Sequence, residues 1–550
     1  MVEFDPKILL PDRFQTWFQK RGWTPRPHQL ALIEKINNGK STLLVAPTGA
    51  GKTLAGFLPS LIDLDALDTK ALRQRGLHTL YISPLKALAV DIARNLSTPV
   101  MDMALPFTIE TRTGDTPQSK RARQTEHPPH ILLTTPEQLA LLLAHRNARK
   151  LFENLNTVIL DELHALVTSK RGDLLALDLI ALYSLAPRLT TIGLSATVRE
   201  PDELRRYLVP QDHRNGMADL VSVANGAKAD IKILKSEKKL PLAGHTALAS
   251  MREIFKAIDE HKMVLVFVNT RMQAEFVFQE LWKLNDKVLP IALHHGSLDV
   301  SQRRKVEAAM ADGKLRAIVC TATLDLGIDW GNVDLVINVG APKGASRLMQ
   351  RIGRANHRLD EPSKALLVPS NRFEALECHA ALDAVEAAAQ DTPPARQGAL
   401  DVLAQHILGM ACADGFRPDD LFDDVKKALP FTHLKREDFD AVLDFAATGG
   451  YTLRSYENFA KIKQSKDGLW RIAHARAAQQ YRMNIGTIIE STMLKVRLGG
   501  PTKTGRPQRG GRILGEVEDY FAEGLVRGDT FIFAGEILRF EGMALNDVLV

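Results

Sequence analysis

The chain has 550 residues, 45% hydrophobic and 25% charged, the composition of ordinary globular protein with room for three or four domains. Its three cysteines, Cys320, Cys378 and Cys412, are odd in number and lack metal-ligand spacing, which argues against a disulfide framework or a zinc site and fits a reducing cytoplasm. No basic leader follows Met1 and no apolar run reaches membrane-spanning length, so neither secretion nor insertion is expected; the formal charge of +6 permits a polyanionic partner without establishing one.

Short apolar strands then alternate with helical patterns, at Thr42 to Val45, His78 to Ser83, Ile131 to Thr134, Val158 to Leu160 and Thr191 to Leu194. The alternation predicts a doubly wound α/β domain with a parallel sheet over residues 1–228. A polar, lysine-rich stretch from Lys228 to Pro241 reads as a linker. A second alternation, at Met263 to Val268, Val288 to Leu293, Ala317 to Cys320, Leu335 to Asn338 and Ala365 to Val368, predicts a second α/β domain over 229–395. Gly398 opens a helical region, assigned to 396–478, and Arg482 to Ile488 begins a β-rich one, assigned to 479–550.

Ala46-Pro47-Thr48-Gly49-Ala50-Gly51-Lys52-Thr53 lies between the first strand and a helix-compatible run, the setting of a phosphate-binding loop. Thr48, Gly49, Ala50 and Gly51 bring backbone N–H groups to the phosphates of ATP, Lys52 adds a point charge, and Thr53 offers a hydroxyl ligand for Mg²⁺. Ala46 stands where the strict pattern has glycine. About 110 residues on, an apolar strand delivers Asp161 and Glu162 to the carboxyl edge of the sheet. Asp161 would hold Mg²⁺ through water, and Glu162 would orient and deprotonate the attacking water.

The second domain has no Lys-Thr loop of its own, so the single nucleotide site is expected to be closed by residues of that domain. Arg351, Arg354 and Arg358 pack three arginines into eight residues, and Arg354 is the best candidate to stabilise charge on the transferred phosphate. The run Thr321-Ala322-Thr323-Leu324-Asp325-Leu326-Gly327-Ile328-Asp329 ends a strand in small hydroxylated residues, suited to a phosphate backbone or a ribose, with Asp329 assigned to the nucleotide.

These motifs, in order over about residues 20 to 370, resemble a superfamily-two helicase with two RecA-like domains. The resemblance makes Gln29 the adenine-reading glutamine, Asp161 to His164 the DExH box, Ser195 and Thr197 the coupling motif and Gln350 to Arg358 motif six. It sets Pro84, Lys86, Thr113, Gly114, Thr135, Thr270, Arg271, His295, Gly296, Thr321 and Thr323 along the nucleic-acid backbone. Leu163-His164, Arg171-Gly172-Asp173 and the run from Gln350 are similar to the large helicase-related family, especially its shorter ligase-associated type. That family places a winged-helix domain and then a β-barrel-like domain after the motor. Asn356 replaces the glycine usual there, so the last finger falls on His357 or Arg358.

From Lys495 to Arg512 there are six basic residues and no acidic ones, a loop able to lie along phosphates or to remain in solvent. Trp470 reads as core packing ahead of a base-stacking wedge. Strand-like sequence still runs near Val550, so the barrel is expected to be cut short.

The reading is an ATP-dependent translocase that separates strands. The resemblance implies single-stranded DNA as the track, 3′-to-5′ movement and DNA or RNA:DNA duplex as cargo. It also implies a DNA-repair setting with a ligase or nuclease partner in a bacterial cytoplasm or nucleoid. An RNA helicase of the same superfamily, and an ATP-gated nucleic-acid clamp that does not unwind, are the alternatives; a small-molecule kinase would leave the second RecA-like half unexplained.

Overall fold

The computed structural model describes residues 9–47, 49–196, 198, 200–212, 216–223, 228–325, 333–355, 362–387, 396–450, 460–486, 493–499 and 511–550. The chain divides into two compact units. One comprises Met1–Pro47, Gly51–Ala224 and Thr392–Thr487; the other comprises Thr48–Ala50, Asn225–Asp391 and Ile488–Val550.

In the first unit, strands β1 (Thr42–Val45), β2 (Thr79–Ile82), β3 (Ile109–Thr111), β4 (Ile131–Thr134), β5 (Thr157–Leu160), β6 (Thr190–Ser195) and β7 (Asp219–Ser222) form one parallel sheet in the order β3-β4-β2-β5-β6-β1-β7. The inner strands are apolar without alternation because both of their faces are covered, and β1, β2, β4 and β5 are buried throughout. The two edge strands, β3 and β7, mix polar and apolar residues and escaped the sequence reading. Helices α1 (Lys52–Asp65), α2 (Lys86–Asp102), α3 (Pro136–Leu143) and α4 (Lys170–Leu185) follow β1, β2, β4 and β5. Since β6 inserts between β5 and β1, the turns after these three strands meet at one carboxyl edge.

In the second unit, β8 (Asp230–Ile233), β9 (Val264–Phe267), β10 (Ile291–His294), β11 (Ala317–Cys320), β12 (Leu335–Val339) and β13 (Lys364–Val368) form a parallel sheet in the order β10-β11-β9-β12-β13-β8. β8 falls inside the stretch expected to be a linker. Its Asp-Ile-Lys-Ile alternation suits an edge strand with one wet face, and it pairs with β13 alone. Helices α5 (Arg271–Lys283) and α6 (Ala345–Ile352) follow β9 and β12.

The two C-terminal regions rest on different α/β domains. Helix α7 (Leu400–Cys412), the helices Pro418–Val425 and Arg436–Thr448, a hairpin of Ile462–Gln464 with Trp470–Ile472, and a helix Ala475–Met483 make the winged-helix domain. Val402, Leu403, Ile407 and Phe439 of this domain share one apolar core with Leu174, Leu175 and Leu179 of α4. Trp470 is half-buried against that core. The β-rich region instead builds its own core from Leu494, Val496, Val517, Phe533 and Val548. It joins the second α/β domain through backbone: Asp299 donates its N–H to the Leu514 carbonyl at 3.0 Å, and Glu516 donates to that of Ser297 at 2.8 Å. The first described strand of this region starts at Met493, beyond the Ala475–Met483 helix that occupies its expected beginning. Among the described residues no helix is long and apolar enough to cross a membrane.

Candidate nucleotide site and nucleic-acid path

Gly51 caps the N-terminus of α1 with φ +74°, and a Cβ there would lie 3.3 Å from the Gln29 side-chain amide. Glycine therefore serves both backbone conformation and close approach. Gln29 is itself held, its Oε1 accepting the Arg26 N–H at 2.9 Å, so the glutamine is presented to the loop in one orientation. Lys52 donates through Nζ to the carbonyls of Ala46 (2.8 Å) and Pro47 (3.1 Å), and Thr53 follows, half-buried, in the first turn of α1.

Two strands away, Asp161 is 5% exposed. Its Oδ1 accepts the Glu162 N–H at 2.8 Å and its Oδ2 accepts the Tyr81 hydroxyl at 2.5 Å. Burial, reinforced by the charge of Glu162, raises the Asp161 carboxyl to about 6 despite these hydrogen bonds. Glu162 has φ +47°, a left-handed conformation that costs a non-glycine residue about 1 kcal/mol. Two adjacent carboxyls, one of them buried, form a donor set that a hard dication would stabilise, and so the residues fit Mg²⁺ with water completing its shell.

His164 links the acidic turn to the end of β6. Its Nδ1 lies 3.0 Å from Ser195 Oγ and its Nε2 3.5 Å from Glu162 Oε2. Burial holds its pKa below the ordinary histidine value, against the opposing pull of the Glu162 charge.

The residues expected to track the strand from the first domain come together. Pro84 and Lys86 follow β2, Thr113 and Gly114 follow β3, and Thr135 follows β4, three neighbouring strands of the sheet. Lys86 and Gly114 are exposed and adjacent, since a Cβ on Gly114 would stand 2.9 Å from Lys86 Nζ. Pro84, Thr113 and Thr135 are buried.

In the second domain Thr270 and Arg271 follow β9, His295 and Gly296 follow β10, and Thr321 and Thr323 follow β11, again neighbours. Thr270 caps α5 by accepting the Gln273 N–H at 3.1 Å, and Thr323 Oγ1 lies 2.9 Å from His294 Nδ1. Arg271 bonds Ser297 Oγ and Glu518, each at 2.6 Å, and His295 is buried with Nε2 2.9 Å from Glu275. Arg271 thus reaches the β-rich region through Glu518, and the His295 ring lies 6.2 Å from that of Phe533 there.

Arg351 is 1% exposed, donating Nε to Asp325 at 2.9 Å and Nη1 to Asn338 at 2.5 Å, with its guanidinium 4.9 Å from the centroid of Phe267. Arg354 is buried beside it. Thr48, Thr197, Asp329, His357, Arg358 and most of the basic loop lie outside the described residues.

Two residues of this framework were missed by sequence reasoning. Tyr81 is the one aromatic in a strand of otherwise small and aliphatic residues, and Glu275 occupies a core-facing position of α5 beside Ala274, Val277 and Leu281. An aromatic hydroxyl inside an apolar strand was the available signal for Tyr81, whereas Glu275, one residue off that apolar stripe, gave none.

Family models agree with this geometry along most of the chain. Residues 26–204 match the DEAD/DEAH box helicase model, 247–358 the helicase conserved C-terminal domain, and 383–550 the winged helix domain of the large helicase-related protein. The chain belongs to the large helicase-related family of superfamily-two helicases. A family relative from Methanocaldococcus jannaschii, ATP-dependent helicase Lhr-Core, is 35% identical across 98% of this chain and 63% of its own length. The solved Mycobacterium smegmatis helicase Lhr, bound to ssDNA and AMP-PNP, is 34% identical with a TM-score of 0.78, covering 89% of this chain and 63% of that one. The helicase MrfA bound to DNA, at 21% identity and a TM-score of 0.76 over 98% of this chain and 73% of that one, shares the fold. The chain spans a little under two thirds of the length of the Lhr-Core relatives, 63% and 64% in two of them.

Proposed function

We propose that this family member is an ATP-dependent helicase motor that tracks on single-stranded DNA and separates DNA or RNA:DNA duplexes. The observation that carries the reading is the single carboxyl edge where Gln29, Gly51 and Lys52 meet Asp161, Glu162 and the His164–Ser195 bridge. Gln29 would read adenine, and Lys52 would exchange its loop carbonyls for phosphate oxygens. Asp161 and the Thr53 hydroxyl would hold Mg²⁺, which when bound neutralises charge on the phosphates. Glu162 would take the proton of the attacking water, and His164 would pass any shift of Glu162 to Ser195, hence to β6.

Arg354 retains the role of the arginine that stabilises transferred charge. Arg351 is assigned instead to holding Asp325 and Asn338 in place. Strand contacts in the second domain are assigned to Thr270, Gly296, Thr321 and Thr323, while Arg271 and His295 hold the β-rich region. The ssDNA in the M. smegmatis relative supports DNA as the track. The 3′-to-5′ polarity, the repair setting, a ligase or nuclease partner and a cytoplasmic or nucleoid location rest on the family resemblance alone.

Comparing ATP hydrolysis stimulated by single-stranded DNA and by RNA, then displacement from duplexes with a 3′ or a 5′ tail, tests the reading. Stimulation by DNA with displacement only from 3′ tails is expected. Stimulation by RNA alone would make it an RNA helicase, and hydrolysis without displacement from any tail would make it a clamp.

A further inference from the structure

Arg171-Gly172-Asp173, in the first turn of α4, takes no part in the nucleotide chemistry, yet each residue is locked in place. Arg171 grips the Glu137 carboxylate with both arms of its fork, Nε to Oε1 at 2.6 Å and Nη2 to Oε2 at 3.1 Å, while Nη1 donates to the Pro84 carbonyl at 2.7 Å. Pro84 opens the tracking segment after β2, and Glu137 stands two residues past Thr135 in the segment after β4. One guanidinium therefore spans two adjacent tracking segments. Its planar, fixed donors set a geometry that a point charge could not.

The next two residues face the winged-helix domain and the body of the sheet. A Cβ on Gly172 would lie 2.3 Å from the Leu166 carbonyl, so only glycine lets α4 start this close to the DExH turn. Its own carbonyl accepts the Tyr207 hydroxyl at 2.7 Å. Asp173 is fully buried and accepts the Ala399 N–H at 3.2 Å and an Arg396 N–H at 3.4 Å, both from the segment leading into α7. Gly486, clasped by Gln405 of α7 through bonds of 3.0 and 3.1 Å, approaches Glu137 so closely that a Cβ would lie 3.1 Å from its Cγ. The winged-helix domain thus buttresses the carboxylate that Arg171 grips.

We propose that Arg171 is a positioning residue for the strand grip: it fixes the Pro84 and Thr135 segments in one geometry and mounts them, through the same helical turn, on the winged-helix domain. The inference rests on the proposed function only in taking those two segments as contacts to a phosphate backbone. Arg171 itself touches no phosphate in this scheme. Binding of single-stranded DNA then depends on the fork and not on the charge.

The test is fluorescence anisotropy with a labelled oligodeoxythymidylate across a salt series, alongside binding of a fluorescent ATP analogue and thermal unfolding. Arg171→Ala is expected to weaken oligonucleotide binding about tenfold or more, the scale of losing charge-assisted hydrogen bonds. The slope of log affinity against log salt should stay as in the parent, whereas loss of a direct phosphate contact would flatten it by about 0.7. Arg171→Lys should fail to restore affinity, Glu137→Gln should reproduce the loss, and the double variant should lose no more than either single one. Binding of the ATP analogue should be unchanged in all of them. A flattened slope with rescue by lysine would overturn the proposal in favour of a direct phosphate contact, and so would parental affinity in a folded Arg171→Ala chain. Failure of the parent itself to bind the oligonucleotide would overturn the proposed function instead.

Discussion

The Tyr81 hydroxyl donates to Oδ2 of Asp161 at 2.5 Å, joining β2 to the acidic turn after β5 from inside the core. The Tyr81 ring stacks on Phe57 of α1, with centroids 5.3 Å apart, so the helix that begins at Lys52 and the acid at Asp161 are braced by one aromatic residue. Tyr81→Phe keeps the stack and deletes the hydroxyl. Removing a hydrogen bond to a charged, buried carboxylate should cost about 2 kcal/mol, read by urea titration, and should lower ATP turnover by about tenfold.

Lys52 and Glu162 should separate binding from turnover. Lys52→Ala is expected to weaken the nucleotide itself, seen with a fluorescent ATP analogue. Glu162→Gln should preserve that binding while turnover falls about a hundredfold or more, the scale of a lost general base. Retained turnover in Glu162→Gln would remove it from the role.

Glu275 is the keystone between the second α/β domain and the β-rich region. Its carboxylate meets His295 Nε2 at 2.9 Å and accepts the backbone N–H groups of Ala534 at 2.6 Å and Gly535 at 2.7 Å. Glu275→Ala leaves three polar partners without an acceptor and should cost about 3 kcal/mol or more. Limited proteolysis should then cut within residues 493–550 faster than in the parent.

Asp178 of α4 should make stability depend on pH. It is 1% exposed, and burial pushes its carboxyl up to about 6, His406 of α7 at 3.7 Å compensating in part. Because the folded value lies above the ordinary 3.8, the folded state binds the proton more tightly. Stability contributed by this group is therefore fully present below about 3.8, is lost progressively as pH rises from there through about 6, and is gone at higher pH. Asp178→Asn should raise unfolding free energy at pH 7.5 by up to about 3 kcal/mol. The gain should shrink toward zero near pH 4 in a series of thermal melts.

Much of the two α/β domains was legible because parallel sheets leave local signatures. Strands buried on both faces are unbroken apolar runs, and a phosphate-binding loop needs glycines, a lysine and a hydroxyl at consecutive positions. Thr42–Val45, Ile131–Thr134 and Ala317–Cys320 stand where those runs placed them, Lys52 opens the helix after the loop, and Asp161 and Glu162 directly follow a strand. The edge strands β3, β7 and β8 were missed since half of their side chains face outward and their composition resembles loop.

The chain's own order of residues thus determined two α/β domains and the family, and it placed the glycine-rich loop and the two acids at one edge of the first sheet. Only the tertiary structure decided which helix carries the winged-helix domain, and that the β-rich region belongs with the second domain through Glu275. It alone showed that His295 and Arg351 are buried and that the exposed Arg271 pairs with Glu518. The reason is physical. A motif specifies its chemistry through neighbours a few residues apart, whereas partners such as Glu275 with Ala534, or Arg171 with Pro84, are far apart in sequence and are chosen by packing.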